Sequence, residues 1–219
     1  MLDISQHWNV SRQSLWVTGI GVEWGKRYGL VCLYLSRVEP LILCVWWGVQ
    51  PKSAVRAILS EMRRAKDSAA ALAKSLASLS AFADCKERRA VAGAEGATGE
   101  IVAAMTSHRE SKEVQSAGCK ALAALCSKIN ANRIRIAAEG GIEAVIGGMR
   151  GHGASAGVQE KGCAALVQLV RLTANAARFA PADGQSTVSA AMQRFPDSTS
   201  IQAQGKLVLR RQRVRGRPK

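Results

Sequence analysis

Beyond residue 50 the 219-residue sequence contains neither tryptophan nor tyrosine. Trp8, Trp16, Trp24, Trp46, Trp47, Tyr28 and Tyr34 all precede it, and aromatics make up only 5% of the chain. Residues 1–51 are therefore a different kind of sequence from the rest, an irregular Trp-containing segment that ends at Pro51. Little is offered to a metal. Cys32, Cys44, Cys85, Cys119, Cys126 and Cys163 form no CxxC pair, and with three histidines they give no zinc spacing. Such cysteines read as small buried apolar residues in a reducing, intracellular setting, cytoplasmic or nuclear. Acids are also scarce, 16 against 31 Lys and Arg, for a net charge of +15. The carboxylates are scattered, and no GxxxxGK[ST], nucleophile elbow or HExxH occurs. GIGVEWG at 19–25 lacks the GxGxxG spacing and reads as a turn. No catalytic, cofactor or metal site and no small-molecule substrate are expected.

Long apolar runs are missing too. Leu30 to Val49 is broken by Arg37, Glu39 and Pro40, short of the roughly 20 clean residues a bilayer span needs. MLDISQHWNVSR has no basic start followed by an apolar stretch, so no secretory signal is expected there.

What is present is a period. Met62, Met105, Met149 and Met192 are separated by 43, 44 and 43 residues. The same offsets relate Ile58 to Ile101, Val145 and Val188, and Leu79 to Leu122, Leu166 and Leu209. They also relate Ala71 to Val114, Val158 and Ile201, and Ser75 to Gly118, Gly162 and Gly205. Five columns sharing one irregular step are hard to obtain by chance, so internal repetition over about 52–212 is the strongest signal in the chain.

Within each unit the apolar spacing is helical. VQSAGCKALAALCSKI (114–129) is apolar or small at 114, 118, 121, 122, 125 and 129, one face of a helix, and VQEKGCAALVQLVRL (158–172) repeats it. Shorter helices precede these at GEIVAAM (99–105) and IEAVIGGM (142–149), with Gly151–Gly157 as the following loop. A still shorter helix is expected at NRIRIAAE (132–139), with Asn132 as N-cap and Gly140–Gly141 as stop. A helix-interior glycine costs about 1 kcal/mol relative to alanine. The recurrence of Gly118 and Gly162 at one phase therefore implies a close crossing where no side chain fits.

AAEGGIEAVIGGM and VQEKGCAALVQLV resemble the second and third helices of the armadillo repeat. HEAT repeats, which lack the short first helix, are the near rival, and NRIRIAAEGG favours armadillo. The resemblance implies an all-α, right-handed α-solenoid of about four units, 52–83, 84–129, 130–172 and 173–212, followed by a basic tail at 213–219. It departs at both ends. No short helix is recognisable before Pro51, and Gln212 stands in the column of Phe82, Leu125 and Leu169. Either the array continues in a longer protein, or the N-terminal segment and the tail cover its ends.

The resemblance further implies that the third helices line a concave groove. The candidate contacts are Lys120, Ala123, Ala124 and Ser127, then Ala164, Val167, Gln168 and Arg171, then Lys206, Arg210 and Arg211. This groove is small-sided in the middle and basic toward its C-terminal end, suited to an extended, partly acidic peptide of a protein partner. Nuclear import adaptors of the family read basic signals with Trp and Asn. Here Lys120 and Ala164 stand at the Trp positions, Ala124 and Gln168 at the Asn positions, so that role is not expected. His108 and His152 match at the 44-residue step, but no acid or cysteine recurs with them, and they read as polar helix ends.

From Lys206 to Lys219 there are seven basic residues and no acid. RGRP, Arg215 to Pro218, resembles an AT-hook core, whose arginines enter the narrow minor groove of A·T-rich DNA. Arg210, Arg211, Arg213, Arg215 and Arg217 thus form a candidate nucleic-acid or localisation element. Two functions follow: an interaction scaffold that binds a protein partner, and alternatively a nucleic-acid-associated protein that uses its tail.

Overall fold

A computed structural model describes residues 50–215, with side chains as far as Gln212. The chain divides into units 1–38 and 39–219, and every described residue lies in the second. The expected segment 1–51, including its aromatics, Cys32, Cys44 and the 19–25 turn, falls outside the described residues except for Gln50 and Pro51.

The described residues form eleven α-helices and no strand. In chain order they are α1 (Pro51–Arg64), α2 (Ala69–Phe82), α3 (Lys86–Ala94), α4 (Ala97–Ser107), α5 (Lys112–Cys126), α6 (Asn130–Ala138), α7 (Gly141–Gly151), α8 (Ala156–Leu169), α9 (Thr173–Phe179), α10 (Gly184–Arg194) and α11 (Thr199–Arg215). Pro51 occupies the first turn of α1, where its missing N–H is no loss. The long helices α2, α5, α8 and α11 pack in series, each on the next. Each also packs on the helix immediately before it in the chain: α1, α4, α7 and α10.

Local chemistry explains the boundaries. Each long helix starts behind a serine whose hydroxyl accepts from a backbone N–H three residues on: Ser68 from Ala71, Ser111 from Val114, Ser155 from Val158 and Ser198 from Ile201. Such caps satisfy donors that the helix cannot. α4, α7 and α10 are each entered through a left-handed residue, Gly96 (φ 85°), Gly140 (φ 80°) and Asp183 (φ 62°).

The core is a continuous cluster that contains Ile58, Ile101, Val145 and Val188, together with Leu79, Leu122, Leu166 and Phe82, Leu125, Leu169. Gly118, Gly162 and Gly205 each sit against the methionine of the preceding helix, Met105, Met149 and Met192. That is the close crossing the sequence implies. A third recurring tie is polar. Gln115 donates to the carbonyls of Met105 (2.7 Å) and His108 (3.0 Å), and Gln159 to those of Met149 (2.7 Å) and His152 (3.1 Å). Gln202 does the same toward Met192 (2.7 Å) and Phe195 (3.2 Å). These bonds add a donor at each helix end, where the carbonyls of His108, His152 and Phe195 also accept from the backbone N–H of Ser111, Ser155 and Ser198.

Several helix boundaries differ from those expected. Asn132 does not cap α6, which Ile129 precedes. It lies inside the helix, fully buried, donating to the carbonyls of Arg89 (2.8 Å) and Leu125 (3.0 Å). Asn175 does likewise toward Arg133 (2.9 Å) and Leu169 (3.0 Å). Because these side chains take the last carbonyls of α5 and α8, both helices stop three residues earlier than their apolar spacing suggests. The 151–157 loop also shrinks, since Gly151 ends α7, Ser155 caps α8 and Gly157 lies within α8. Finally, α11 carries the backbone through Arg215, so the expected division at 213 falls inside a helix.

Candidate functional site

The candidate contacts lie on α5, α8 and α11, and their placement follows from the packing just described. Gly118 and Gly162 turn toward their methionines, so residues on the opposite side of each helix remain outward. Lys120 is exposed on α5, with Ala123 and Ala124 half-buried beside it and Ser127 half-buried at the helix end. On α8, Ala164 and Gln168 are half-buried, and Arg171 is exposed just beyond the last turn. Lys206 and Arg210 are exposed on α11 and Arg211 is half-buried.

Val167 is the exception. It is buried at 8% exposure, and its carbonyl accepts from Nη1 of Arg211. Its place on the outward row therefore belongs to its backbone, while its side chain joins the core. Arg211 is in turn fastened to α8, and Gln212 to the carbonyl of Ala176 at 2.8 Å. Replacing the apolar column by Gln212 thus exchanges a packing contact for a hydrogen bond. Arg213 and Arg215 continue the α11 backbone, and Arg217 lies outside the described residues.

The structure adds a residue that the spacing of α5, α8 and α11 does not reveal. Arg133, on α6, is 5% exposed, yet its guanidinium reaches the row: Nη2 stands 3.5 Å from Oε1 of Gln168, while Nη1 donates to Oδ1 of Asn130. Its Nε has no partner, and no carboxylate among the described residues forms an ion pair with it. Burial holds its pKa below the usual arginine range, and the nearby positive charge of Arg171 lowers it further. One signal was available in the sequence, because Arg89 stands 44 residues earlier at the same place in its unit. The two differ in partners. Arg89 donates from Nε to the Ala83 carbonyl (2.8 Å) and from its two other nitrogens to the carbonyls of Ser127 (3.4 Å) and Asp84 (2.6 Å).

The histidines serve the scaffold. Nε2 of His108 lies 2.6 Å from the Lys66 carbonyl, and Nε2 of His152 lies 2.8 Å from the Arg109 carbonyl. A carbonyl only accepts, so Nε2 carries the proton in both rings. Among the described residues no group of three His, Cys, Asp or Glu could hold a metal ion, and no helix is long and apolar enough to cross a membrane. Cys119, Cys126 and Cys163 are buried free thiols pushed up to about 12 by desolvation. Neutral thiols of this kind are poor nucleophiles. A depression of about 490 Å³ between α7 and α10 includes Gln159 and Thr187, but both side chains already donate to backbone carbonyls. It presents no convergent catalytic chemistry.

The described chain is thus an all-α protein of packed helices, and comparison adds fold information alone. No protein-family model matches the sequence, and no curated protein matches it. The chain is similar to the crystal structure of an engineered protein from the Northeast Structural Genomics Consortium. The two share 17% identity and a TM-score of 0.51, over 81% of this chain and 80% of that one.

Proposed function

We propose that this chain is a protein-interaction module and not an enzyme: an armadillo-like α-solenoid whose third helices, α2, α5, α8 and α11, present a surface for an extended, partly acidic peptide. The serial packing of these four helices supports the reading, because it sets α5 beside α8, and Lys120, Ala124, Ser127, Gln168 and Arg171, on or just beyond these helices, are exposed or half-buried. Small side chains at Ala123, Ala124 and Ala164 leave room for a peptide backbone, and Lys120, Arg171, Lys206 and Arg210 supply positive charge beside it. Complementary charge of this kind speeds encounter and sets partner choice more than it sets affinity. The test is fluorescence anisotropy with a labelled peptide of alternating Glu and Ser. Charge reversal at Lys120 and Arg171 should weaken the binding; unchanged affinity would remove these residues from the site.

A second reading is kept because of the seven basic residues without an acid between Lys206 and Lys219, and the RGRP core within them. On that reading the C-terminal arginines give affinity for nucleic acid while the helices dock a protein.

A further inference from the structure

We propose that Arg133, beside Gln168, forms a recessed carboxylate-binding subsite that takes one acidic side chain of the peptide bound along α5 and α8. This rests on the peptide-binding reading above and deepens it.

Arg133 is an unusual residue to bury. A guanidinium carries five donors and stays charged, and removing such a charge from water is costly unless it is paired. Here it is 5% exposed, Nη1 donates to Asn130, Nε has no partner, and the contact from Nη2 to Gln168 is at the 3.5 Å limit of a hydrogen bond. Arg89, its counterpart in the preceding unit, shows what a fully engaged guanidinium looks like, with every nitrogen donating to a backbone carbonyl. The neighbouring ion pairs, Lys112–Glu113 and Lys161–Glu160, join adjacent residues within α5 and α8 and involve other groups. The second charge close to Arg133 is another cation, Arg171, which disfavours its charged form. A largely dry guanidinium with an unpartnered Nε calls for an anion.

A carboxylate is the anion that fits. Its two oxygens can accept from a planar fork, displacing the weak contact to Gln168 while Nη1 keeps its bond to Asn130. The seat is also positioned independently of its ligand. The Arg133 backbone carbonyl accepts from Asn175 at 2.9 Å, which fixes α6 against α9, so little ordering is needed on binding. A nucleic-acid backbone suits the seat less well. Its phosphates are borne on a stiff outer surface and are met by exposed cations, whereas this guanidinium is recessed and is reached by a flexible side chain.

The test uses the full chain, the labelled Glu–Ser peptide, its Gln–Ser counterpart and duplex DNA, followed by anisotropy at physiological salt. Removing a charge-assisted, two-pronged contact should weaken Glu–Ser binding by about tenfold or more in R133Q. The Gln–Ser peptide should bind weakly to both proteins, and DNA affinity should be the same for both. If the wild-type chain does not bind the Glu–Ser peptide, the peptide-binding reading falls and the subsite with it. If K120Q weakens binding while R133Q leaves it unchanged, the peptide surface stands and the subsite is overturned. A drop in R133Q that is equal for DNA and peptide overturns it in favour of a general cation. Should R133Q melt below the assay temperature, R133K decides, because it keeps the charge and drops the fork. Intermediate affinity supports the subsite, and wild-type affinity overturns it.

Discussion

Gly162 faces Met149 so closely that a β-carbon on the glycine would stand 2.5 Å from both Cγ and Sδ of the methionine. The pairs Gly118–Met105 and Gly205–Met192 are equally tight, with the nearest atom at 2.5 Å in each. Because Cγ belongs to the stem of the methionine, the clash cannot be relieved by swinging the end of the side chain. Alanine at 162 gains about 1 kcal/mol of helix propensity, but overpacking of this kind costs about 1–3 kcal/mol. G162A should therefore lower stability in urea denaturation. G147A should raise it by about 1 kcal/mol, since Gly147 is exposed on α7 and has nothing within 4 Å of its would-be β-carbon. M149A should cost about 2–5 kcal/mol, and M149A/G162A less than the sum, because the new methyl enters the space vacated. Additive effects would show that the two side chains do not share one space.

Asp183 occupies the left-handed position that Gly96 and Gly140 fill elsewhere, at φ 62°. A non-glycine residue there carries a penalty of about 1–2 kcal/mol, partly relieved in Asp by local hydrogen bonding. Its carboxylate accepts from Ser186 Oγ at 2.7 Å, but that bond is exposed and of small value. D183G should therefore raise the melting temperature, with a gain of about 0.5–1 kcal/mol, and G140D should lower it by a similar amount. A lower melting temperature for D183G would mean that the Asp183–Ser186 bond outweighs the backbone strain.

These two cases show what was legible in the sequence. The Met and Gly columns share one irregular step, so a close approach at the glycines follows from the sequence alone. Asp183 breaks its column chemically and needs a backbone angle to be understood. Ser68, Ser111, Ser155 and Ser198 recur at the same 43–44-residue offsets, as do Gln115, Gln159 and Gln202, and could have been read as caps and ties. They stay hidden to apolar spacing, which reports packing faces, whereas these polar residues act on backbone ends. Asn132 shows the opposite error. An asparagine near a helix start suggests a cap, yet two carbonyls, one from α3 and one from α5, draw it inside. Among the candidate contacts, Lys120, Gln168 and Arg171 lie outward as their spacing indicates. Val167 turns inward, and Arg133 enters from α6, outside α5, α8 and α11 altogether.

The buried thiols make stability sensitive to alkali in a defined direction. In the unfolded chain Cys119, Cys126 and Cys163 ionise near 9.0, while in the folded chain burial pushes each to about 12. Below about pH 9 all three are neutral in both states and their packing is fully retained. Between about 9 and about 12 the unfolded state loses protons that the native state keeps, so stability falls as pH rises. C163A should flatten that alkaline decline in denaturation curves while leaving the acid side unchanged. Cys85, which is half-buried, should react with a thiol-specific disulfide reagent well before the three buried cysteines. An alkaline limb identical in C163A and wild type would show that this thiol does not contribute to it.

The nucleic-acid reading is tested by where the chain is cut. Ending it at Gly205 would remove the buried Val208 and the ties from Arg211 to Val167 and from Gln212 to Ala176, so weaker binding could reflect a damaged α11. Ending it after Gln212 keeps these interactions and deletes Arg213, Arg215, Arg217 and Lys219 together. If the tail grips phosphate, the full chain should bind labelled duplex DNA with an affinity that falls as salt rises. The shortened chain should bind more weakly, its log–log salt slope shallower by roughly 0.9 for each phosphate that the tail no longer neutralises. Preference of the full chain for A·T-rich over G·C-rich duplex would add minor-groove reading by RGRP to that phosphate grip. Equal affinity and equal slope for the two chains would place any DNA binding on the helices, and the tail reading would be abandoned.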